Sequence, residues 1–178
     1  MRKVIAFEER EFSLSELTES QQALLYRTIE IAAEAKAAGN NPFGALLADE
    51  NGEILMEQGN TEGDVPDATG HAETTLCRRA FAAFGPEKLR HCTLYSCCEP
   101  CCMCAGAIYW SNIGNLVYAC TEAKLKTVTG DDPRNPTLDL PCRAVFACGQ
   151  KDITVLGPFP ELYDKYLELH RGFWNPSK

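Results

Sequence analysis

Apolar residues recur at helical spacing from Ser20 onward. Leu24, Leu25, Ile29 and Ala32 fall on one side of a 3.6-residue repeat, and Gly39-Asn40 supplies a stop. Ahead of that helix, Met1–Leu17 is charged and aperiodic, so residues 1–19 read as an N-terminal arm. Phe43–Ala48 and Glu53–Gln58 read as two strands across the turn Asp49-Glu50-Asn51-Gly52, where Asn-Gly tolerates the positive φ of a hairpin. A polar loop, Gly59–Gly70, leads into a helix from about His71 to Phe84 that ends at Gly85-Pro86.

Farther along, Cys92–Cys97 is a short apolar strand, Cys102–Ser111 a helix starting just past Pro100, and Asn115–Cys120 another strand. Thr121–Pro141 is rich in Asp, Pro, Thr and Asn, poor in core-type residues, and reads as one long loop. Ala144–Phe146 and Ile153–Leu156 are weaker strand signals, and Phe159–Gly172 a final helix. Strands alternating with helices after an opening hairpin predict an α/β domain with a mixed central sheet. No repeat or linker divides the 178 residues, so 1–178 is expected to be a single domain.

Charge narrows the partners. The chain carries 25 acidic against 17 basic residues, a net charge of -8, and Arg78-Arg79 is its nearest approach to a basic run. Binding a polyanion calls for a basic patch or stripe, so tRNA or DNA is disfavoured and a small molecule favoured. No apolar run approaches the roughly 18–20 residues of a membrane span. The opening MRKVIAFEEREF turns charged before a secretory signal could form. A cytoplasmic location is therefore expected. In a reducing compartment the ten cysteines are metal ligands or buried thiols rather than disulfides. Five of them crowd into Cys97–Cys104.

Two short motifs carry chemistry: His71-Ala72-Glu73 and Pro100-Cys101-Cys102-Met103-Cys104. Cys101 and Cys104, three apart at a helix start, can point two sulfurs at one ion, and a helix N-terminus favours the thiolate. His71, from another helix N-terminus, makes three ligands. A tetrahedral zinc then keeps one position for water, as catalytic sites do and closed structural sites do not. Glu73 stands where it could move a proton between that water and a substrate. Cys98 and Cys101 form a competing Cys-x-x-Cys pair. Cys97, Cys98 and Cys102 read as small packing residues. Either motif alone is weak; in this order, H-x-E with P-C-x-x-C is the signature of zinc nucleobase deaminases.

The sequence resembles the cytidine deaminase superfamily, and within it the bacterial guanine deaminases. The resemblance rests on Asn41-Pro42-Phe43-Gly44-Ala45, Asp67–Glu73 and Thr93–Ile113. It implies a cytidine deaminase-like, three-layer α/β/α fold with a mixed five-stranded sheet. It also implies one zinc per chain on His71, Cys101 and Cys104, with Glu73 as proton shuttle. The backbone N–H groups of Ala72 and Cys101 would meet the substrate or the attacking oxygen. Asn60 would bind the base, and Phe43 and Trp110 would flank it. Asp132, with Asp131 beside it, falls where guanine deaminases carry an acid that contacts the purine. His170, Phe173 and Trp174, within residues 158–178, would form a C-terminal lid over the chain's own site or a partner's, and a homodimer is expected. The sequence departs from the family at Gly70, which replaces a common alanine, at the extra thiols of Cys98 and Cys102, and beyond Asp132. Guanine to xanthine plus ammonia is the favoured reaction. The alternatives are a tRNA wobble adenosine deaminase, a cytosine or nucleoside deaminase, and a zinc-stabilised binding protein without activity.

Overall fold

The computed structural model describes residues 10–64 and 66–174. The arm expected over residues 1–19 therefore lies partly outside the described residues; from Ser13 on it forms a 3-10 turn, Leu14–Glu16, closed by a Ser13/Glu16 capping box. Helix α1, Glu19–Ala37, starts at the N-cap Thr18, whose hydroxyl accepts from Gln21 N while Gln21 reaches back to the Thr18 N–H. Its buried residues, Leu24, Leu25, Thr28, Ile29, Ile31, Ala32 and Ala35, follow the helical repeat.

Five strands form one sheet: β1 (Gly44–Ala48), β2 (Ile54–Gly59), β3 (Thr93–Cys98), β4 (Asn115–Cys120) and β5 (Thr154–Leu156), in the order β2-β1-β3-β4-β5. The hairpin pairs antiparallel, β1 runs antiparallel to β3, and β3, β4 and β5 are parallel. The sheet is mixed and five-stranded, as expected. Side-chain alternation then builds two cores, because successive residues of a strand face opposite sides. Leu46, Ala48, Tyr95, Cys97, Val117 and Ala119 pack with α1 on one face. Ala45, Leu47, Leu94, Leu116 and Tyr118 pack on the other, against α2 (Ala72–Leu89), α3 (Cys102–Ser111) and α5 (Cys142–Ala147).

Several local expectations need correcting. Ala144–Phe146 is not a strand; it lies in α5, where Cys142 and Phe146, four apart, are both buried against the second core. So short an apolar run cannot reveal its own period. The supposed loop Thr121–Pro141 opens with helix α4, Glu122–Thr129, capped by the Thr121 hydroxyl and seated by Leu125 and Thr129. The final helix is not continuous over Phe159–Gly172. It is a 3-10 turn, Pro160–Leu162, then α6, Tyr163–Leu167, then turns. Gly85, at φ 72° and ψ 165°, breaks the helix where the Gly85-Pro86 stop predicts, and a second helical segment then runs from Pro86 to Leu89. No helix among the described residues is long and apolar enough to cross a membrane.

Candidate metal centre

The site forms at the N-termini of α2 and α3. His71 and Cys101 are the N-cap residues of these helices, both with extended backbone. An N-cap side chain ordinarily turns back onto the helix's own N–H groups. Here neither does; the two side chains turn towards each other and towards Cys104. The separations are 3.7 Å for Cys101 Sγ to His71 Nδ1, 3.5 Å for Cys104 Sγ to His71 Nδ1, and 3.6 Å between the sulfurs. Tetrahedral zinc with Zn–S of ~2.3 Å and Zn–N of ~2.0 Å requires S···N edges of about 3.5 Å and an S···S edge of about 3.8 Å. The three side chains fit zinc, and among the described residues they are the one group of three or more such ligands close enough to share an ion.

Glu73, one residue inside α2, is buried at 5% exposure. Ser96 of β3 donates to its Oε1 at 2.8 Å, and Cys104 Sγ lies 3.5 Å from its Oε2. Burial pushes its carboxyl up, against the pull of His71. The hydrogen bond to Cys101, ahead of the charge of Glu73, raises His71 to about 9 despite burial, and Cys104 as donor lowers the Cys101 thiol. The lowered Cys101 thiol favours the thiolate, the form in which a cysteine ligates a metal. Thr74 completes the surroundings, its hydroxyl donating to Cys104 Sγ at 3.2 Å.

Asn60 and Ala72 lie next to the metal centre, and Phe43, His170 and Trp174 form a cluster of their own. Asn60 is buried, and its N–H donates to Phe43 O at 3.0 Å. One residue on, Thr61 N–H donates to Gly70 O at 2.9 Å, so the Asn60 turn lies alongside the residue that precedes His71. Ala72 is buried at the first position of α2. Phe43 meets the edge of His170 at 5.4 Å between centroids. Trp174 stacks on His170 and donates its indole N–H to Nδ1 at 2.9 Å, which assigns the neutral tautomer with the proton on Nε2. The chain's own C-terminal segment thus covers its own Phe43.

Asp132 and Trp110 sit differently from the expectation. Asp132 is buried and engaged in a two-pronged ion pair with Arg134, Nε to Oδ1 at 3.0 Å and Nη2 to Oδ2 at 2.8 Å. Arg134 also donates to Phe173 O and lies over the Trp174 ring, so Asp132 ties this loop to the C-terminal segment. Asp131 is exposed. Trp110 is 78% exposed and lines a groove of about 360 Å³ between α2 and α3 with Thr74, Cys77, Arg78, Phe81 and Ala107. Cys97 and Cys98 are buried as expected, whereas Cys102 is only half-buried.

Three neighbours of the site were not legible beforehand. Ser96 is a buried serine in a strand of mostly apolar residues. Glu122, at the start of α4, is pushed up to about 7 by burial and by the charges around Cys101; the Cys98 thiol points at its Oε2 from 3.7 Å. Glu62, two residues beyond Asn60, accepts from the amides of both Asn60 and Asn41. Only the cysteine-flanking position of Ser96 and the short spacing of Asn60 to Glu62 offered any signal in the sequence.

A mixed sheet with two helix N-termini that present one histidine and two thiols beside a buried glutamate defines a zinc hydrolase of the cytidine deaminase-like fold. Residues 18–120 match the family described as cytidine and deoxycytidylate deaminase zinc-binding region, and the chain belongs to that family of zinc-dependent deaminases. It is 35% identical over 168 residues to a protein of Schizosaccharomyces pombe named "Probable cytosine deaminase", covering 93% of this chain and 99% of that one. It is 37% identical over 114 residues to the guanine deaminase of Bacillus subtilis, covering 64% of this chain and 72% of that one. A solved structure from work on tRNA:A34 deaminases superposes with a TM-score of 0.64 at 25% identity, covering 83% of this chain and 99% of that one.

Proposed function

We propose that the protein deaminates a free nucleobase or a closely similar aminated heterocycle, using one zinc per chain. The observation that carries this reading is Glu73: a buried carboxylate 3.5 Å from the ligand Cys104, held by Ser96, has no use in a purely structural zinc site. His71, Cys101 and Cys104 would hold the zinc, which would supply a water acidic enough to be deprotonated near neutral pH. Glu73 takes one proton from that water at a carboxylate oxygen and gives it to a ring nitrogen; it then takes the proton of the newly added hydroxyl and gives it to the amine, which leaves as ammonia as the carbonyl forms. Ser96 holds the other oxygen in place. Asn60 orients the ring, Phe43 packs on it, and His170 and Trp174 limit water at that side. Ala72 and Cys101 direct backbone N–H groups from their helix starts.

Guanine to xanthine plus ammonia is the first reaction to test, on the strength of Pro42-Phe43-Gly44 and the guanine deaminase relative. Cytosine is the second reading, and two observations favour it: the full-length match to a protein named for cytosine, and Asp132 already paired with Arg134. tRNA ranks lower because the net charge is -8. The homodimer belongs to the same proposal, and light scattering that shows a monomer at micromolar concentration would remove it. The experiment is ammonia release from a panel of free bases, nucleosides and tRNA, on wild type and Glu73→Gln. The variant should retain zinc and lose at least about 10²–10⁴-fold in turnover. Near-full turnover in that variant would refute the shuttle. A wild type silent on the whole panel would refute the enzymatic reading.

A further inference from the structure

The turn Asn60–Asp64 lies beside the metal centre and is pinned by the two asparagines that follow α1. Asn40 Oδ1 accepts from Gly63 N at 2.7 Å, and Asn40 Nδ2 donates to Asp64 Oδ1 at 2.9 Å. Asn41 Nδ2 donates to Glu62 Oε2 at 2.8 Å. Within the turn, Asn60 Nδ2 donates to the same Glu62 oxygen at 2.6 Å, and Glu62 N donates to Asn60 Oδ1 at 3.0 Å. A Cβ on Gly70 would stand 3.1 Å from Glu62 N, so the turn packs directly on the residue before His71. The negative charge of Glu62 is felt by His71.

We infer that Glu62 is a positioning residue that fixes the hydrogen-bond polarity of Asn60 and so sets which ring edge the site accepts. The inference rests on the proposed deaminase function. An asparagine amide has two donor hydrogens and two acceptor lone pairs, and its ends are nearly identical in shape. A free side chain could present either end to a substrate. Here a flipped amide would put Oδ1 against the Glu62 carboxylate and the NH2 against the Glu62 N–H, two repulsive contacts in a buried place. Glu62 therefore locks Nδ2 on one side and Oδ1 on the other, with one N–H and one lone pair left to Asn60. Asn41 in turn holds the Glu62 carboxylate from the end of α1. The substrate class that fits is an aminated ring with an acceptor, a carbonyl oxygen or an unprotonated ring nitrogen, where it meets Nδ2.

The test measures kcat and KM for the best substrate, and for its analogue with that acceptor replaced by C–H or N–H, on wild type, Glu62→Met, Glu62→Gln and Asn41→Ala. Glu62→Met removes the acceptor and keeps the bulk, so KM should rise roughly tenfold, the cost of a lost charge-assisted hydrogen bond, while kcat changes less than about threefold. The preference for the true substrate over its analogue should shrink by a similar factor. Glu62→Gln keeps an oxygen for the Asn60 amide and should restore KM to within about threefold. Bound zinc and the urea midpoint separate this from unfolding. An active wild type whose KM and preference survive Glu62→Met overturns the inference and leaves the deaminase reading standing. So does a Glu62→Gln as impaired as Glu62→Met. A wild type with no turnover of any amine overturns the deaminase reading, and this inference with it.

Discussion

Gly44 opens β1, immediately after Phe43, and is the tightest meeting of the sheet with α1. A Cβ added there would lie 2.5 Å from Thr28 O, 2.6 Å from Ala32 N and 2.9 Å from the Ile31 Cβ. The first two are backbone atoms inside a helix and cannot rotate aside. Van der Waals contact needs about 3.5 Å, so α1 would have to lift off β1 by roughly 1 Å. That shift opens the packing of Leu25, Ile29 and Ala32 in a core of close-packed density. Overpacking typically costs about 1–3 kcal/mol, and with unyielding backbone on two sides Gly44→Ala belongs at the upper end, about 3 kcal/mol. For a chain of this length each kcal/mol lowers the melting temperature by roughly 2–4 °C, so the expected fall is roughly 6–12 °C. Urea denaturation with unchanged slope reads the same loss as a lower midpoint. Gly44 N also donates to Cys97 Sγ at 3.2 Å, and the Phe43 ring meets His170, so KM should rise with the displacement of Phe43 while zinc content stays at wild type. A Gly44→Ala protein melting within about 2 °C of wild type would refute this account of the glycine.

Other expectations follow from the same geometry. Cys104→Ala removes one of three ligands and should reduce bound zinc, measured by elemental analysis after dialysis, from one per chain to a small fraction; full occupancy would show that the ligand set is wrong. His170 offers a pH signature. Burial, with Lys36 adding to it, lowers His170 to about 3, whereas an unfolded histidine titrates near 6.5. The unfolded chain therefore takes up the proton first. This contribution to stability is complete above about pH 6.5 and is lost as the pH falls towards 3, amounting to about 2 kcal/mol by pH 5. The fall in urea midpoint between pH 7 and pH 5 should shrink in His170→Gln, and an unchanged fall would remove His170 as its source.

The metal centre and its neighbouring carboxylate were the most legible part of the chain. His71, Glu73, Cys101 and Cys104 are close in sequence within two motifs, and ligand chemistry restricts what such sets can do. The α1 repeat, the Asn-Gly hairpin and the β3–α3–β4 run were legible for a related reason: each buries a face whose period is written in neighbouring residues. Where burial depends on distant partners, the pattern ran out. Residues 142–147 are helical because Cys142 and Phe146 find the second core, and 122–129 because Leu125 finds the first, neither of which local composition shows.

The sequence by itself determined the zinc ligands and an α/β layering, because a few residues at fixed spacing suffice for each. Tertiary structure alone decided the contacts of the remaining candidate residues. It gave Asp132 to Arg134, left Trp110 on an outer groove, closed His170 and Trp174 over Phe43 of the same chain, and set Glu62 against Asn60. Those pairings join residues far apart in the chain, or choose among several equally plausible partners nearby. Only the packed geometry selects which hydrogen bonds and ring contacts are made.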